Sequence, residues 1–359
     1  MKSLRPTIAP ACRRAIIALV AASAGASAYA ASFDCRNAKS PTEHAICGSP
    51  RLSALDERLA KAYERAAHAL SPAGASQLKE SQRGWLRFAT RVCASRDAKR
   101  HGAQPAECLE HEYGRRIEQL AQAGVHVGPY LLSRVDFHSA VHLRTDDGAG
   151  NYAGFATDHV AFAQIDAPLT AATNAWNAAQ RVDAPAPDQD DDGAADSRDD
   201  NDPASDNDVD FTLGCASERF ISISKTTTYF VHGSVHGGYD HEVRNVVFAP
   251  DMRKMTANDV FAANSGWKTR LPTLFWNVYN RDPDAGKDLP SIKQAIFESA
   301  ANPDRWLLTP AGLQISFDAD EAGCYACNPG PLTVPWPALK PMLASPEFAA
   351  CKGPAAARP

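Results

Sequence analysis

The sequence has no apolar stretch of the roughly 20 residues that a membrane-spanning helix needs. Its longest apolar run, residues 15–28, follows four basic residues and precedes the small-residue sequence Ala28-Tyr29-Ala30. A basic start, a short apolar run and a small-residue cleavage sequence are the features of an export signal peptide. We therefore predict that residues 1–30 are removed from a periplasmic or secreted protein that has no membrane span.

An excess of basic residues is also lacking, with 37 Lys and Arg against 42 Asp and Glu. Residues 183–210 alone hold 12 Asp and one Arg, and the rest of the mature chain is close to neutral. Nucleic-acid binding depends on clustered Lys and Arg. No nucleic-acid partner is therefore predicted.

Catalytic patterns are absent as well. Gly233-Ser234 has no G-x-S-x-G context. His232, His236 and His241 near Asp240 lie in a glycine-rich turn rather than at helical spacing, so zinc is not predicted there. The sequence favours a binding protein over an enzyme.

The number of cysteines indicates how the chain is cross-linked. Cys12 belongs to the export signal, and eight remain: Cys35, Cys47, Cys93, Cys108, Cys215, Cys324, Cys327 and Cys351. An even number in an exported chain predicts disulfides, four cysteines in each of two domains. We expect local pairs in the first domain, Cys35 with Cys47 and Cys93 with Cys108, with crossed pairings open. The C-x-x-C pair is expected to bridge to Cys215 or Cys351.

Residues 31–124 show helical periodicity. Ser49 and Pro50 suit a helix start, and apolar residues then recur every three or four positions. Two further helices are predicted around Trp85 and Tyr113. This predicts a mainly α domain, a disulfide-stapled three-helix unit.

Residues 33–120 contain, in order, the motifs F-D-C, A-x4-E-x2-I-C, L-x2-L-D-x2-L-x3-Y, Q-R-x-W-L and C-L. This pattern resembles the N-terminal domain of the lysozyme inhibitor LprI family. The matching positions are Phe33, Asp34, Cys35, Glu43, Ile46, Cys47, Leu55, Asp56, Tyr63, Gln82, Arg83, Trp85, Cys93, Cys108 and Arg116. The resemblance implies an exported helical module that binds and inhibits lysozyme. One turn after the tryptophan, where that pattern usually has an Arg, this chain has Ala89.

The stapled loop, residues 35–47, carries the predicted partner-binding residues, because loops on rigid scaffolds often carry recognition. They are Arg36, Asn37, Lys39 and His44 in the loop, together with Arg83 on the second helix.

Residues 125–345 mix strand-like alternation with helical segments, which predicts an α+β domain, followed by a tail at 346–359. This part of the chain contains the segments Y-F-V-H-G-S-V-H-G-G-Y-D, T-A-N-D-V-F, L-T-P-A-G-L-Q-I-S-F-D and G-P-L-T-V-P-W-P-A-L. They resemble the extracellular domain shared by RsiV and PdaC, over about residues 127–343. RsiV-type domains sense lysozyme, so both resemblances imply one ligand class. The catalytic domain of the PdaC deacetylase has no counterpart here.

The acidic insert, residues 183–210, fits two interpretations. Its spacing of carboxylates around Gly193 suits a calcium loop formed by Asp188, Asp190, Asp192, Asp196, Asp199 and Asp202. Without tandem copies, a solvated disordered insert is the favoured interpretation. No cofactor beyond that Ca²⁺ is predicted.

The residue patterns predict an exported binding protein, and the resemblances imply that it binds and inhibits a lysozyme-type muramidase, by steric blockade. The alternative is a non-catalytic cell-envelope module that binds peptidoglycan or an envelope protein.

Overall fold

The structure is a computed structural model that describes residues 31–100, 104–143, 154–181, 204–248, 252–282 and 290–355. The export signal and the six aspartates of the predicted calcium loop lie outside these residues.

The first part of the chain, residues 31–124, is a helical unit that we call the head. After a short 3-10 helix at Cys35–Asn37 it contains five helices: α1 (Pro41–Gly48), α2 (Pro50–Ala69), α3 (Pro72–Ala94), α4 (Arg96–Arg100) and α5 (Pro105–Leu120). The first three begin with a serine N-cap followed by proline, a sequence that satisfies a free N–H and presets the backbone. The predicted helical class is confirmed, with two short helices beyond the three expected.

The head core forms where the apolar faces of α2, α3 and α5 meet. Leu52, Leu78 and Trp85 are at most 1% exposed, and Trp85 packs edge-on against Tyr113 at 5.0 Å between ring centroids. Disulfides join Cys35 to Cys47 and Cys93 to Cys108, the local pairing that the sequence favoured.

A seven-stranded sheet follows, in the sequential order β1 to β7. The strands are β1 (Val125–Val127), β2 (Tyr130–His142), β3 (Phe155–Ala167), β4 (Ser205–Ala216), β5 (Phe220–Val231), β6 (Gly238–Val247) and β7 (Arg253–Lys254). All neighbours pair antiparallel except β3 and β4, which are parallel. Helix α6 (Ala171–Gln180) lies in the connection between those two strands and buries Trp176 completely.

The rest of the chain forms a second core against β5 and β6. It contains α7 (Ala257–Val260), α8 (Trp267–Tyr279), α9 (Pro290–Ala301), a small sheet of β8 (Leu307–Leu308), β9 (Gly312–Ile315) and β10 (Leu332–Pro335), and α10 (Trp336–Leu339). Phe261, Trp267 and Trp306 form an aromatic cluster within this core. The predicted α+β class of the second domain is confirmed.

The C-terminal disulfides differ from the prediction. Cys324 pairs with Cys327 and closes its own short turn, while Cys215 pairs with Cys351. The second bridge and the backbone contacts of Lys352 with Ala216 hold residues 346–355 on the sheet, so they belong to the domain rather than to a tail. Sequence spacing could not show this, because Cys215 and Cys351 are 136 residues apart.

The predicted acidic insert is also too long. Strand β4 begins at Ser205, inside the predicted insert, and its aspartates at 206, 208 and 210 pair with groups of neighbouring elements. Residues 205–210 are therefore part of the sheet. They were misassigned because their charge resembled that of the preceding run.

The head packs directly on the sheet. Helix α3 lies on β2, where Ser81 Oγ donates to the Asp136 carbonyl (3.0 Å) and accepts from the Asp136 N–H (2.9 Å). Ala140 and Phe155 of the sheet are part of the head core. The two domains therefore share one packed interface.

Candidate binding surfaces

The five predicted partner-binding residues all lie on the surface of the head. The segment 35–47, predicted as a loop, is a 3-10 turn at Cys35–Asn37 followed by α1, so Arg36, Asn37 and Lys39 are exposed ahead of α1 and His44 is exposed on α1 itself. We keep the name stapled loop for residues 35–47. Arg83 is exposed on α3. The loop is held by the Cys35–Cys47 disulfide and by a capping box, in which Ser40 and Glu43 bond each other's backbone N–H groups. It therefore presents its polar side chains from a fixed backbone.

Two of the three arginine and lysine residues in this set already have acidic partners. Arg36 pairs with Asp34 at 2.7 Å and Arg83 pairs with Glu80 at 3.1 Å, both on exposed side chains. Exposed pairs of this kind contribute about 0–1 kcal/mol. A carboxylate of a binding partner could therefore replace Asp34 or Glu80 as the ion-pair partner of the arginine at little cost in free energy.

A groove beside the stapled loop, which we call the head groove, has a volume of about 350 Å³. Its apolar wall includes Phe33, Tyr63 and Leu86, and Leu86 is 41% exposed. Glu43 and Asp56 add carboxylates to the lining. The groove combines exposed apolar area with polar groups, as protein-binding surfaces do.

A second exposed surface lies on the other domain, at the tip of the β5–β6 hairpin. We call Val235, His236, Tyr239 and Tyr325 the tyrosine patch. Val235 is 99% exposed and Tyr325 is 43% exposed, and the Tyr325 ring lies 4.8 Å from that of His236 and 5.8 Å from that of Tyr239.

The tyrosine patch is held from both sides. The Cys324–Cys327 disulfide closes the turn that carries Tyr325, and Asn328 Nδ2 donates to the Tyr239 hydroxyl at 2.6 Å. Asp240 follows Tyr239 on β6 and is exposed, and Asp320 is exposed one residue after Ala319, whose N–H donates to the Tyr239 carbonyl at 2.7 Å. The sequence analysis weighed this segment for zinc and for a catalytic serine and used it in the resemblance to RsiV and PdaC, but it did not identify a binding surface there. A valine between the glycines of a predicted turn was the available signal.

The histidines of the rejected zinc set point to separate partners. His232 Nε2 lies 3.1 Å from Asp206, whereas His236 stacks on Tyr325 and His241 lies against Tyr239. Across the described ranges, no group of three or more His, Cys, Asp or Glu side chains is arranged to hold a metal ion. Nor is any described helix long and apolar enough to cross a membrane.

Buried charges lie at the junction of the head and the sheet. Asp136 is fully enclosed between Arg116 of α5 (2.7 Å) and Arg134 of its own strand (2.7 Å). These two cations hold the pKa of Asp136 well below its ordinary value despite its burial. Arg134 also pairs with Asp210 at 2.8 Å, so the network continues into β4.

His159 joins the same network from β3. Its Nε2 lies 3.1 Å from Asp136 and its Nδ1 lies 2.9 Å from Asp208, which also pairs with Arg115 of α5. Burial opposes a charge on His159, but the hydrogen bonds to the two aspartates outweigh it and raise its pKa. His138 stacks on His159 at 4.4 Å, and burial and the neighbouring His159 lower the pKa of His138 well below its ordinary value.

A cavity of about 460 Å³ opens beside these groups, between α3 and α5 on one side and β3 to β5 on the other. Its polar lining side chains are largely engaged with one another, as in the pair of Asp206 with Thr157 (2.7 Å). The sequence analysis missed this network. Its signal was the period-two series Arg134, Asp136 and His138, which places three polar side chains on one sheet face.

Comparison with known proteins supports the head assignment. Residues 35–120 match the family model described as lysozyme inhibitor LprI. The comparison with curated protein sequences found no match.

Two solved structures are similar to the chain at low identity. One is a member of the DUF3298 family from Bacteroides fragilis NCTC 9343, with 16% identity, a TM-score of 0.42 and coverage of 62% of this chain and 97% of that one. The other is a DUF3298 family protein from Pseudomonas aeruginosa PAO1, with 14% identity, a TM-score of 0.35 and coverage of 61% and 96%. The more specific resemblance to RsiV and PdaC stays a prediction, and the family likeness of this chain is to the lysozyme inhibitor LprI over residues 35–120.

Proposed function

We propose that this protein is an exported binding protein that inhibits a lysozyme-type muramidase by covering its substrate cleft. The match of residues 35–120 to the lysozyme inhibitor LprI model carries this proposal. The exported location is supported by the four disulfides, because such bonds persist in oxidising compartments.

The stapled loop suits the chemistry of a muramidase cleft. Glycoside hydrolases of this kind place two carboxyl groups on either side of the scissile bond. The exposed side chains of Arg36, Lys39 and His44 carry N–H groups, and such carboxyl groups would accept hydrogen bonds from them. Because the disulfide and the capping box already fix the loop, less conformational entropy is lost on binding.

The tyrosine patch offers a second contact surface. A muramidase with a basic surface would be attracted by the exposed Asp240 and Asp320, and Tyr325 supplies a large amphipathic side chain of the type enriched at interfaces. The same exposed rings favour the alternative function, in which the protein binds peptidoglycan or an envelope protein without inhibiting an enzyme.

The test is an inhibition and binding assay of the mature chain with chicken-type, goose-type and invertebrate-type lysozymes. One variant reverses two charges in the loop, Arg36→Glu with Lys39→Glu. Its control, Lys61→Glu with Lys79→Glu, reverses two exposed charges elsewhere on the head and changes the net charge equally. If the loop contacts the enzyme, the first variant weakens inhibition at least about tenfold, and the control changes it about threefold or less.

A third variant, Val235→Ser with Tyr325→Ala, tests the tyrosine patch in the same assay. A loss confined to this variant would move the contact to the second domain. If the mature chain binds peptidoglycan and none of the three lysozyme classes, the inhibitor proposal is wrong and the envelope-binding alternative replaces it.

A further inference from the structure

The head contains a buried carboxylate that has no cationic side chain beside it among the residues that the structure describes. Asp56 of α2 is only 7% exposed, and within the described part of the chain no Lys, Arg or His side chain pairs with it. It accepts a hydrogen bond from the Ser32 backbone N–H at 2.7 Å and contacts the Tyr113 hydroxyl. A buried carboxylate is costly unless hydrogen bonds or a counter-charge compensate it.

Ser32 is the second residue after the predicted cleavage sequence, so the position of the chain start matters here. Ala31 and Phe33 pack against the head core, and both Ser32 and Phe33 line the head groove. Adjacent backbone nitrogens are at most about 4 Å apart, because consecutive Cα atoms are separated by 3.8 Å. The nitrogen of Ala31 therefore lies within about 7 Å of the Asp56 carboxylate, close enough for a small rotation of the chain start to bring the two together.

We propose that cleavage of the chain between Ala30 and Ala31 creates the missing counter-charge, and that the new N-terminal ammonium of Ala31 docks against Asp56. A leader peptidase would hydrolyse this peptide bond with one water molecule. The carboxylate product leaves with residues 1–30, and the amine that remains on Ala31 takes up a proton from solvent. In the uncleaved chain the same nitrogen is a neutral amide, so only the processed protein has the ion pair.

The groups around Asp56 would not repel an ammonium group, because they are neutral or negatively charged. Tyr113 of α5 stays neutral, because burial and the nearby Asp56 raise its pKa. Glu43 of α1 adds a second carboxylate to the groove, although its oxygens already accept from the N–H groups of Lys39 and Ser40. The pairing ties the first mature residue to α2, beside the stapled loop.

The test compares two forms of the mature chain, both made without the export signal and released by a site-specific protease. One begins at Ala31, and the other has Gly-Gly before Ala31, which moves the ammonium about 7 Å away along the chain. We expect the thermal midpoint of the Ala31 form to be higher by about 2–4 °C at pH 6.5. An α-ammonium has an ordinary pKa of about 7.7–8.0, and an anionic partner raises it. The difference should therefore persist below pH 8 and disappear as the pH rises well above 8.

Asp56→Asn should abolish the difference between the two forms, because asparagine can accept the Ser32 hydrogen bond but cannot pair with a charge. Glu57→Gln is the matched control, since Glu57 is exposed on the same helix and pairs with Lys61. It should leave the difference unchanged. Mass spectrometry of the exported protein should find Ala31 as its first residue.

Equal midpoints for the two forms, or a difference that survives Asp56→Asn, would overturn the proposal. A mature start at another residue would do the same. None of these readouts depends on lysozyme binding, so failure of the inhibitor assay and failure of this proposal can be told apart.

Discussion

At the scale of single residues, the junction of the head and the sheet rests on a charge arrangement that permits one charged imidazole and not two. His159 is held by two aspartates, whereas His138 lies face to face with it and near Arg116 and Arg134. Protonating His138 would place a second positive charge on the stacked pair. The junction should therefore weaken in acid.

The first prediction follows from the lowered pKa of His138. In the unfolded chain this histidine binds a proton below about pH 6.5, while in the folded protein it does not, so stability rises with pH through this range. Its contribution is present above pH 6.5 and is lost as the pH falls. We expect a loss of roughly 1–2 kcal/mol between pH 6.5 and pH 5 from this residue.

Urea unfolding at a series of pH values measures this loss. His138→Phe keeps a ring between Phe88 and His159 and should remove that part of the acid destabilisation. His68→Phe, at an exposed position on α2, should retain it. Identical pH profiles for the wild type and His138→Phe would show that His138 is not the source.

At the scale of elements, the two C-terminal disulfides close loops of very different length. Cys215–Cys351 joins β4 to the end of the described chain across 136 residues, and Cys324–Cys327 closes a turn of only 3. A cross-link restricts the unfolded chain more strongly when its loop is longer. The two bridges should therefore differ in their effect on stability.

The prediction is that removing Cys215–Cys351 costs about 4–5 kcal/mol of unfolding free energy, and removing Cys324–Cys327 costs about 2 kcal/mol or less. The variants are Cys215→Ala with Cys351→Ala, and Cys324→Ser with Cys327→Ser. Denaturant unfolding under non-reducing conditions gives both values. Equal losses would mean that loop length does not govern the stabilisation here.

The variant Cys324→Ser with Cys327→Ser also tests whether the tyrosine patch contributes to binding. Releasing the Cys324–Cys327 turn frees Tyr325, so any contact made through the tyrosine patch should weaken although the fold persists. The stapled loop of the head does not depend on the Cys324–Cys327 bridge, so any contact that it makes with a binding partner should be unchanged.

At the scale of the whole molecule, the head and the sheet form one structure. Arg116 occupies a position shared with the LprI pattern, yet here it is completely buried and pairs with Asp136 of β2. Head residues and sheet residues also share one apolar core. Unfolding of one part should therefore expose buried charge and apolar area on the other.

Asp136→Asn tests this coupling. Loss of its charge leaves Arg116 and Arg134 buried with less compensation, and we expect a cost of about 3–5 kcal/mol. Hydrogen exchange should show amides of α3 and of β2 losing protection together. Asp240→Asn, at an exposed position on β6, should leave exchange in both elements unchanged. Loss of protection in β2 alone would show that the two parts unfold independently.

Periodicity and capping predicted the helical head well. The serine and proline starts of α2 and the apolar stripe through Trp85 are local signals, and local hydrogen bonds and burial decide such elements. The head disulfides could be anticipated because each joins cysteines that are close together in the chain, 12 and 15 residues apart. The predicted contact residues did prove to be exposed, but whether they bind a partner stays a prediction.

By itself, the sequence determined the helical class of the head and its resemblance to a lysozyme inhibitor family, because both depend on residues close together in the chain. It favoured the local head disulfides but left crossed pairings open, and the structure decided between them. Only the tertiary structure decided that Asp206, Asp208 and Asp210 belong to a strand, that Cys215 reaches Cys351, and that Arg116 meets Asp136. The physical reason is that a charged residue is predicted to be exposed to solvent from the sequence alone, because the sequence does not show a partner that is distant in the chain. Arg116 reaches Asp136 from α5, and the partners of the three β4 aspartates also lie outside β4, so folding alone brings these charges together.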